Sequence, residues 1–84
     1  MNRDEAFTAI RAERRRQAEK WGGRHPWGVG DCSSLGVADT VKAAVLAEEC
    51  GEVARAVLDS DPESLRTELI QVAAVAVAWL EALS

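Results

Sequence analysis

The last quarter of the chain places the strongest constraint on the fold, because its apolar residues leave no polar face. After Leu69, only Gln71 and Glu81 interrupt a run of aliphatic residues and one tryptophan that ends at Leu83. At helical periodicity this segment predicts a helix over residues 62–83 that is apolar around nearly its whole circumference. Such a helix must be covered on every side.

Two more helices are predicted upstream, over residues of about 4–21 and 39–58, with a Gly-rich loop over 22–38 between them. The 84 residues make one domain, 1–84, with only two helices to cover the last one. We therefore expect an all-α, three-helix protomer that forms an oligomeric helical bundle with further copies. A homodimer or a dimer of dimers satisfies this requirement.

Polar residues whose side chains can cap a helix precede each predicted helix. We predict no strands in the Gly-rich loop. The candidate N-caps are Asn2 or Asp4, then Asp39 or Thr40, then Asp61 followed by Pro62, with Ser60 and Glu63 as an alternative capping box. Gly22 is the expected end of the first helix.

Composition excludes several classes of partner. A net charge of −4 argues against binding to a nucleic acid polymer. The N-terminal residues have no signal-peptide core, and the apolar run 73–80 is far shorter than the roughly 18 residues of a membrane span. Cys32 and Cys50 lack the spacing of a zinc site or a disulfide framework. We expect a cytoplasmic protein without a membrane partner.

Glu68 is the most informative polar residue, since Leu65, Val72 and Val75 share its face of the last helix. An ionised carboxylate on such a stripe is costly to bury unless it is paired or bound to a cation. A simpler alternative is that Arg66 or the nearby helix N-terminus satisfies it.

Three more glutamates, Glu48, Glu49 and Glu52, crowd the middle helix at spacings that place carboxylates side by side. Their mutual repulsion reverses if a divalent cation binds among them, and Mg²⁺ and Mn²⁺ prefer oxygen ligands. The alternative is a solvated helix face balanced by Lys42 and Arg55. Together with Glu68, the pattern favours the cation site.

The acidic pattern also resembles that of a known family. Glu48-Glu49-Cys50-Gly51-Glu52, followed by Glu68-Leu69-Ile70-Gln71, is similar to the EExxE and ExxD motifs of MazG-like all-α nucleoside triphosphate pyrophosphohydrolases, relatives of dimeric dUTPases. The flanks LAEECGEVARA and ELIQVAAVAVAWLEAL, and the leader ERRRQAEKWG with HPWG, resemble the family as well. The resemblance covers nearly the whole chain, and the acidic motif is its diagnostic part.

The resemblance implies an enzyme that uses Mg²⁺ or Mn²⁺ to cleave a (d)NTP into the (d)NMP and pyrophosphate. The metal-binding positions that it implies are Glu48, Glu49, Glu52, Glu68 and Gln71. Glu49 or Glu52 is the candidate catalytic base. Gln71 stands where the family has Asp, and an amide oxygen can ligate a cation but brings no charge. The alternative is a catalytically degenerate helical dimer that binds a nucleotide or a protein partner.

Basic and aromatic residues outside the acidic motif supply candidates for substrate binding. Cations would hold phosphates, and tryptophans near the Gly-rich loop would stack on a nucleobase. The candidates are Arg14, Lys20, Trp21, Trp27 and Lys42. Their alternatives are solvated helix surface for the arginine and Lys20, a helix-end core position for Trp21, and intrahelical pairing for Lys42. His25 is expected to be exposed and without a role.

Overall fold

The computed structural model describes residues 1–83, so that Ser84, the last residue of the predicted domain, lies outside the described residues. It contains helices α1 (Arg3–Trp21), α2 (Asp39–Leu58) and α3 (Pro62–Leu83). Helix α3 packs against both α2 and α1, so it forms the centre of the protomer. The prediction of an all-α chain with three helices is confirmed.

Helix α1 begins with a capping box that uses the first of its two candidate caps. The Asn2 side chain accepts from the Glu5 backbone N–H at 2.9 Å, and Glu5 Oε1 accepts from the Asn2 N–H at 3.4 Å. The helix ends at Gly22, as predicted. A side chain there would be obstructed, since a Cβ would lie 2.7 Å from the Ala18 carbonyl oxygen.

The predicted side-chain caps of α2 are wrong. Its N-cap is Ala38, which offers no side-chain acceptor, and Asp39 lies inside the first turn. The Asp39 carboxylate instead accepts from Trp79 Nε1 at 3.0 Å. This bond ties the start of α2 to the last turns of α3, while the charge still lies near the positive end of the α2 dipole.

Helix α3 begins as predicted. Asp61 accepts from the Ser64 backbone N–H at 3.1 Å and from Ser64 Oγ at 2.7 Å, with Pro62 at the first helical position. Ser60 has φ of 52°, in the left-handed region, and forms the turn between α2 and α3. Asp61 rather than Ser60 is therefore the cap.

The Gly-rich loop contains a small antiparallel hairpin that the sequence did not predict. Strand β1 (Arg24–His25) pairs with β2 (Gly28–Val29), with Arg24 opposite Val29 and His25 opposite Gly28. Gly28 has φ of 137°, and a Cβ there would lie 2.8 Å from the Gly36 carbonyl oxygen. The hairpin therefore needs glycine at this position.

The core is thin and made of small side chains. Its buried apolar residues are Val37, Ala56, Ala74, Val75 and Ala78. Helix α3 also exposes large apolar side chains, including Leu69 at 51%, Leu80 at 65% and Leu83 at 65%. One protomer thus leaves part of α3 uncovered, as its sequence predicts. Within residues 1–83, no helix is both long and apolar enough to span a membrane.

Candidate functional site

A cavity of about 270 Å³ is bordered by all three helices and by the loop that carries the hairpin. Its polar lining comes mainly from α1 and α2, with one residue from α3, and two tryptophans add aromatic surface. These lining residues are Glu13, Arg16, Gln17, Lys20, Trp21, Trp27, Asp31, Glu48, Glu49 and Gln71. The cavity is the meeting point of the acidic motif and several candidate substrate-binding residues.

Gln71 joins the two helices of the acidic motif. With its amide nitrogen turned toward the carboxylates, Gln71 donates to Glu49 Oε2 at 3.1 Å and to Glu68 Oε2 at 2.8 Å. With the amide reversed, its oxygen faces the same two carboxylates. We call these three residues the Glu49–Gln71–Glu68 cluster. The structure therefore brings together three of the five predicted metal-binding residues.

Glu49 is the carboxylate that this environment affects most clearly. Burial raises the pKa of Glu49, and the negative charges of Glu68, Glu48 and Glu52 raise it further. Glu48 is exposed and lines the cavity, while Glu52 is exposed and lies outside the lining. The negative charges of the other three predicted glutamates thus all act on Glu49.

The donor set of the cluster suits a hard cation, although it falls short of a complete acidic cage. Among residues 1–83, no group of three or more His, Cys, Asp and Glu side chains is arranged to hold a metal ion. Two carboxylates and one amide do meet, and all three can offer oxygen, the ligand atom that Mg²⁺ prefers. Water and phosphate oxygens commonly complete such sites.

Glu13 is a further carboxylate of the cavity lining that the sequence analysis missed. Its side chain is 12% exposed and binds Arg16 through contacts of 2.6 and 2.7 Å. Its Oε2 also lies 3.3 Å from Nε2 of the buried Gln17. The charge of Glu13 contributes to the raised pKa of Glu49. The available signal was its i, i+4 spacing from Gln17 on the inward face of α1.

Arg14, predicted to bind substrate, lies outside the cavity lining and holds two carboxylates. Its Nη1 donates to Asp31 Oδ2 at 2.8 Å, and its Nε donates to Glu81 Oε2 at 2.7 Å. Asp31 also accepts from the Ser33 backbone N–H at 2.9 Å. This Arg14–Asp31–Glu81 network fixes the loop against α1 and α3. The arginine that lines the cavity is Arg16.

The two predicted lysines occupy different environments. Lys20 lines the cavity, and its Nζ lies 4.8 Å from the centroid of the Trp21 ring, a cation–π contact. Lys42 is 2% exposed and lies outside the cavity lining. In the described part of the chain no ion pair joins Lys42 to the glutamates, so the expected intrahelical pairing is not formed.

Three aromatic rings cluster at the hairpin. The His25 and Trp27 rings stack with centroids 4.4 Å apart and planes 11° apart, while the Trp21 and Trp27 centroids lie 6.2 Å apart. His25 Nε2 also lies 3.1 Å from the Trp21 carbonyl oxygen. His25, expected to be exposed and without a role, is thus half-buried and supports one face of Trp27.

Comparison of the chain with protein-family models, with curated proteins and with solved structures yields no match. The resemblance to MazG-like enzymes therefore stays a prediction, carried by the acidic motif. The site is defined by its own geometry: a carboxylate–amide cluster, a cavity beside it, and aromatic and basic side chains around that cavity.

Proposed function

We propose that the protein is a Mg²⁺-dependent nucleoside triphosphate pyrophosphohydrolase that cleaves a (d)NTP into the (d)NMP and pyrophosphate. The observation that carries this proposal is the convergence of Glu49, Glu68 and Gln71 beside a cavity that two tryptophans also line. Oxygen donors from two helices are the kind of ligand set that binds Mg²⁺, with Mn²⁺ as the substitute.

Glu49 and Glu68 would hold the cation with Gln71, and Glu48 and Glu52 would add negative charge around it. A bound divalent cation supplies charge neutralisation on the phosphates and helps to align a water molecule. Glu52 and Glu49 are the two candidates for the catalytic base: Gln71 does not engage Glu52, whereas Glu49 lines the cavity. Either would take the proton of the attacking water.

The substrate would enter the cavity with its base toward the tryptophans. Trp21 and Trp27 offer aromatic faces for stacking, and the cations Lys20 and Arg16 lie on the same lining for the phosphates. Arg14 and Lys42 lie outside that lining. For Arg14 we propose an indirect role. Its bond to Asp31 fixes the loop that also contains Trp27.

We also propose that the protein is a homodimer or a dimer of dimers. The exposed apolar side chains of α3, among them Leu69 and Leu83, would be covered by a second copy of the chain. Light scattering should give at least twice the protomer mass of 9.1 kDa. A stable monomer at micromolar concentration would contradict this assembly.

The activity is tested by incubating the protein with a panel of (d)NTPs and Mg²⁺, and by identifying monophosphate and pyrophosphate among the products. EDTA should abolish the reaction. Glu68→Ala should slow it by at least about 100-fold, the upper end of what disturbing a metal ligand's surroundings costs. Glu63→Ala, which removes an exposed carboxylate from the first turn of the same helix, is the matched control.

Two results would contradict the proposal: no turnover of any nucleotide with Mg²⁺ or Mn²⁺, or a Glu68→Ala variant as active as the Glu63→Ala control. A circular dichroism spectrum and a melting temperature for both variants separate loss of chemistry from loss of fold.

One observation favours a second candidate, a degenerate helical dimer that binds a nucleotide or a protein partner without hydrolysis. The Gln71 amide can satisfy Glu49 and Glu68 by hydrogen bonding alone, with no cation. Calorimetry that detects nucleotide binding, together with an absence of product, would select this candidate. Activity created by Gln71→Asp would support it further.

A further inference from the structure

The side chain between the two carboxylates is a neutral amide that can present either of two atoms to them. One atom of the Gln71 amide lies 3.1 Å from Glu49 Oε2 and 2.8 Å from Glu68 Oε2. If that atom is nitrogen, both contacts are charge-assisted hydrogen bonds. If it is oxygen and both carboxylates are ionised, three oxygens face one another without a hydrogen between them, which is unfavourable unless a cation binds there.

The two orientations therefore belong to two states of the site. The nitrogen-inward orientation links α2 to α3 and compensates two ionised groups that would otherwise repel each other across the helix interface. The oxygen-inward orientation gives up both bonds and supplies a ligand of the type that Mg²⁺ accepts. Rotation of the amide about its last side-chain bond interconverts them, without movement of the backbone.

We propose that Gln71 is a positioning residue that holds the site together without a cation by bridging Glu49 and Glu68, and that it turns its oxygen inward when a divalent cation binds. Cation binding then competes with a hydrogen-bonded ground state. The chain gains an ordered, stable empty site and loses part of its cation affinity. This inference rests on the proposed cation site and is independent of which substrate, if any, is hydrolysed.

A carboxylate at position 71 would have the opposite effects: it would destabilise the empty site and raise the affinity for a cation. Gln71→Glu has nearly the same shape as the native side chain, yet it replaces the amide NH₂ group, with both of its donor hydrogens, by a second oxygen and adds a negative charge. The empty site then contains three mutually repelling carboxylates, whereas the occupied site gains one more charged ligand. The two consequences have opposite signs, which a purely structural role for Gln71 does not produce.

The experiment measures the free protein without nucleotide. In EDTA, we expect Gln71→Glu to lower the melting temperature by at least about 4 °C, a measurable shift for a domain of this size. In titrations with MnCl₂ followed by electron paramagnetic resonance of the free ion, we expect the same variant to bind Mn²⁺ about tenfold more tightly than the native protein.

Two control variants separate the parts of the argument. Gln71→Leu has neither donor nor acceptor, so it should lower the melting temperature in EDTA and also weaken Mn²⁺ binding. Thr8→Glu adds one negative charge at an exposed position near the start of α1 and should leave Mn²⁺ binding unchanged. If Gln71→Glu folds only with Mn²⁺ present, that result supports the proposal. If it folds neither in EDTA nor with Mn²⁺, the melting temperature and the Mn²⁺ binding of Gln71→Leu test the proposal instead.

The proposal is overturned if Gln71→Glu melts at or above the native temperature in EDTA, or if it binds Mn²⁺ no more tightly than the native protein. It is also overturned if Gln71→Leu matches the native protein in both measurements. Mn²⁺ binding with the expected shifts but without hydrolysis of any nucleotide supports the proposal and removes the proposed enzymatic function, so the two failures are distinguishable.

Discussion

Two groups of charged side chains join the elements of this protein, and they differ in the residue at their centre. In the Arg14–Asp31–Glu81 network, a guanidinium holds a carboxylate from the loop and another from α3. In the Glu49–Gln71–Glu68 cluster, a neutral amide lies between carboxylates from α2 and α3. Each group brings two carboxylates to one central side chain, but only the first group contains a compensating positive charge.

The pKa values of the two groups respond in opposite directions. Burial alone would raise the pKa of Asp31, but hydrogen bonds from Ser33 and the charge of Arg14 lower it below its ordinary value. Burial raises the pKa of Glu49, and neighbouring carboxylates add to that rise. The first group is stabilised as an ion pair, whereas the second retains an unbalanced negative charge beside a cavity. Such imbalance is typical of functional sites.

The largest effect is expected from removing the positive charge of the first network. Arg14→Leu leaves Asp31, whose side chain is 9% exposed, without its ionic partner and removes the hydrogen bond from Arg14 to Glu81. Loss of one partner of a buried ion pair costs about 3 kcal/mol at the lower end of the usual range. Urea unfolding at pH 7 should show that loss of unfolding free energy.

Arg15→Leu is the matched control, because Arg15 is the next residue on the same helix and is exposed. It should change the free energy of unfolding by less than about 0.5 kcal/mol. Equal effects of the two substitutions would show that the network contributes nothing beyond the general charge of α1.

An intermediate effect on the free energy of unfolding is expected from removing the charge of Asp31, and this effect depends on pH. A carboxyl whose pKa is lowered by folding stabilises the folded state above its ordinary value of 3.8, and that contribution disappears as pH falls through the lowered pKa. Asp31→Asn keeps the acceptor for Ser33 but cannot be charged. At pH 7 the native protein should therefore exceed the variant in unfolding free energy by about 1 kcal/mol, the scale of one hydrogen bond.

The difference between the native protein and Asp31→Asn should shrink toward zero as the pH is lowered below 3.8, measured by urea unfolding across the acid range. The same pair of proteins compared in an Arg14→Leu background should differ less at pH 7. A difference that is independent of pH would assign the effect of Asp31→Asn to shape rather than to charge.

Most of the fold was predictable because its determinants are local. Helices α2 and α3 have their predicted bounds and α1 begins one residue earlier than predicted, since periodicity and the caps at Asn2 and Asp61 act within one turn. The cap of α2 was not predictable in this way. Asp39 is engaged by Trp79, forty residues further along the chain, and no local pattern encodes that contact.

The site shows the same division between local and distant information. Glu49 and Glu68 were predictable because helical spacing fixes the face on which each lies, whereas Gln71 was implied by the resemblance to the MazG-like motif. The choice among the arginines of α1 was not, since Arg14 and Arg16 differ mainly in their partners. Arg14 binds Asp31, which lies in a loop without a periodic sequence pattern, whereas Arg16 lines the cavity. The stacking of His25 on Trp27 depends on a hairpin that the sequence did not predict.

The smallest effect is expected from removing a negative charge from the Glu49–Gln71–Glu68 cluster. This change should raise the free energy of unfolding, whereas the two changes above lower it. Glu49→Gln keeps an oxygen that can accept from Gln71 but ends the repulsion with Glu68, Glu48 and Glu52. In EDTA at pH 7, we expect the free energy of unfolding to rise by about 0.5 kcal/mol, the scale of a like-charge pair on a helix.

The pH dependence identifies the cause of that gain. Because folding raises the pKa of Glu49, the native protein loses stability as pH rises from the ordinary value of 4.5 through the raised value. Glu49→Gln lacks this loss, so its advantage should be present at pH 7 and absent near pH 4. This slope is opposite to that of Asp31→Asn. A destabilised Glu49→Gln at pH 7 would mean that the Glu49 charge is already compensated, and the contrast between the two groups would then fail.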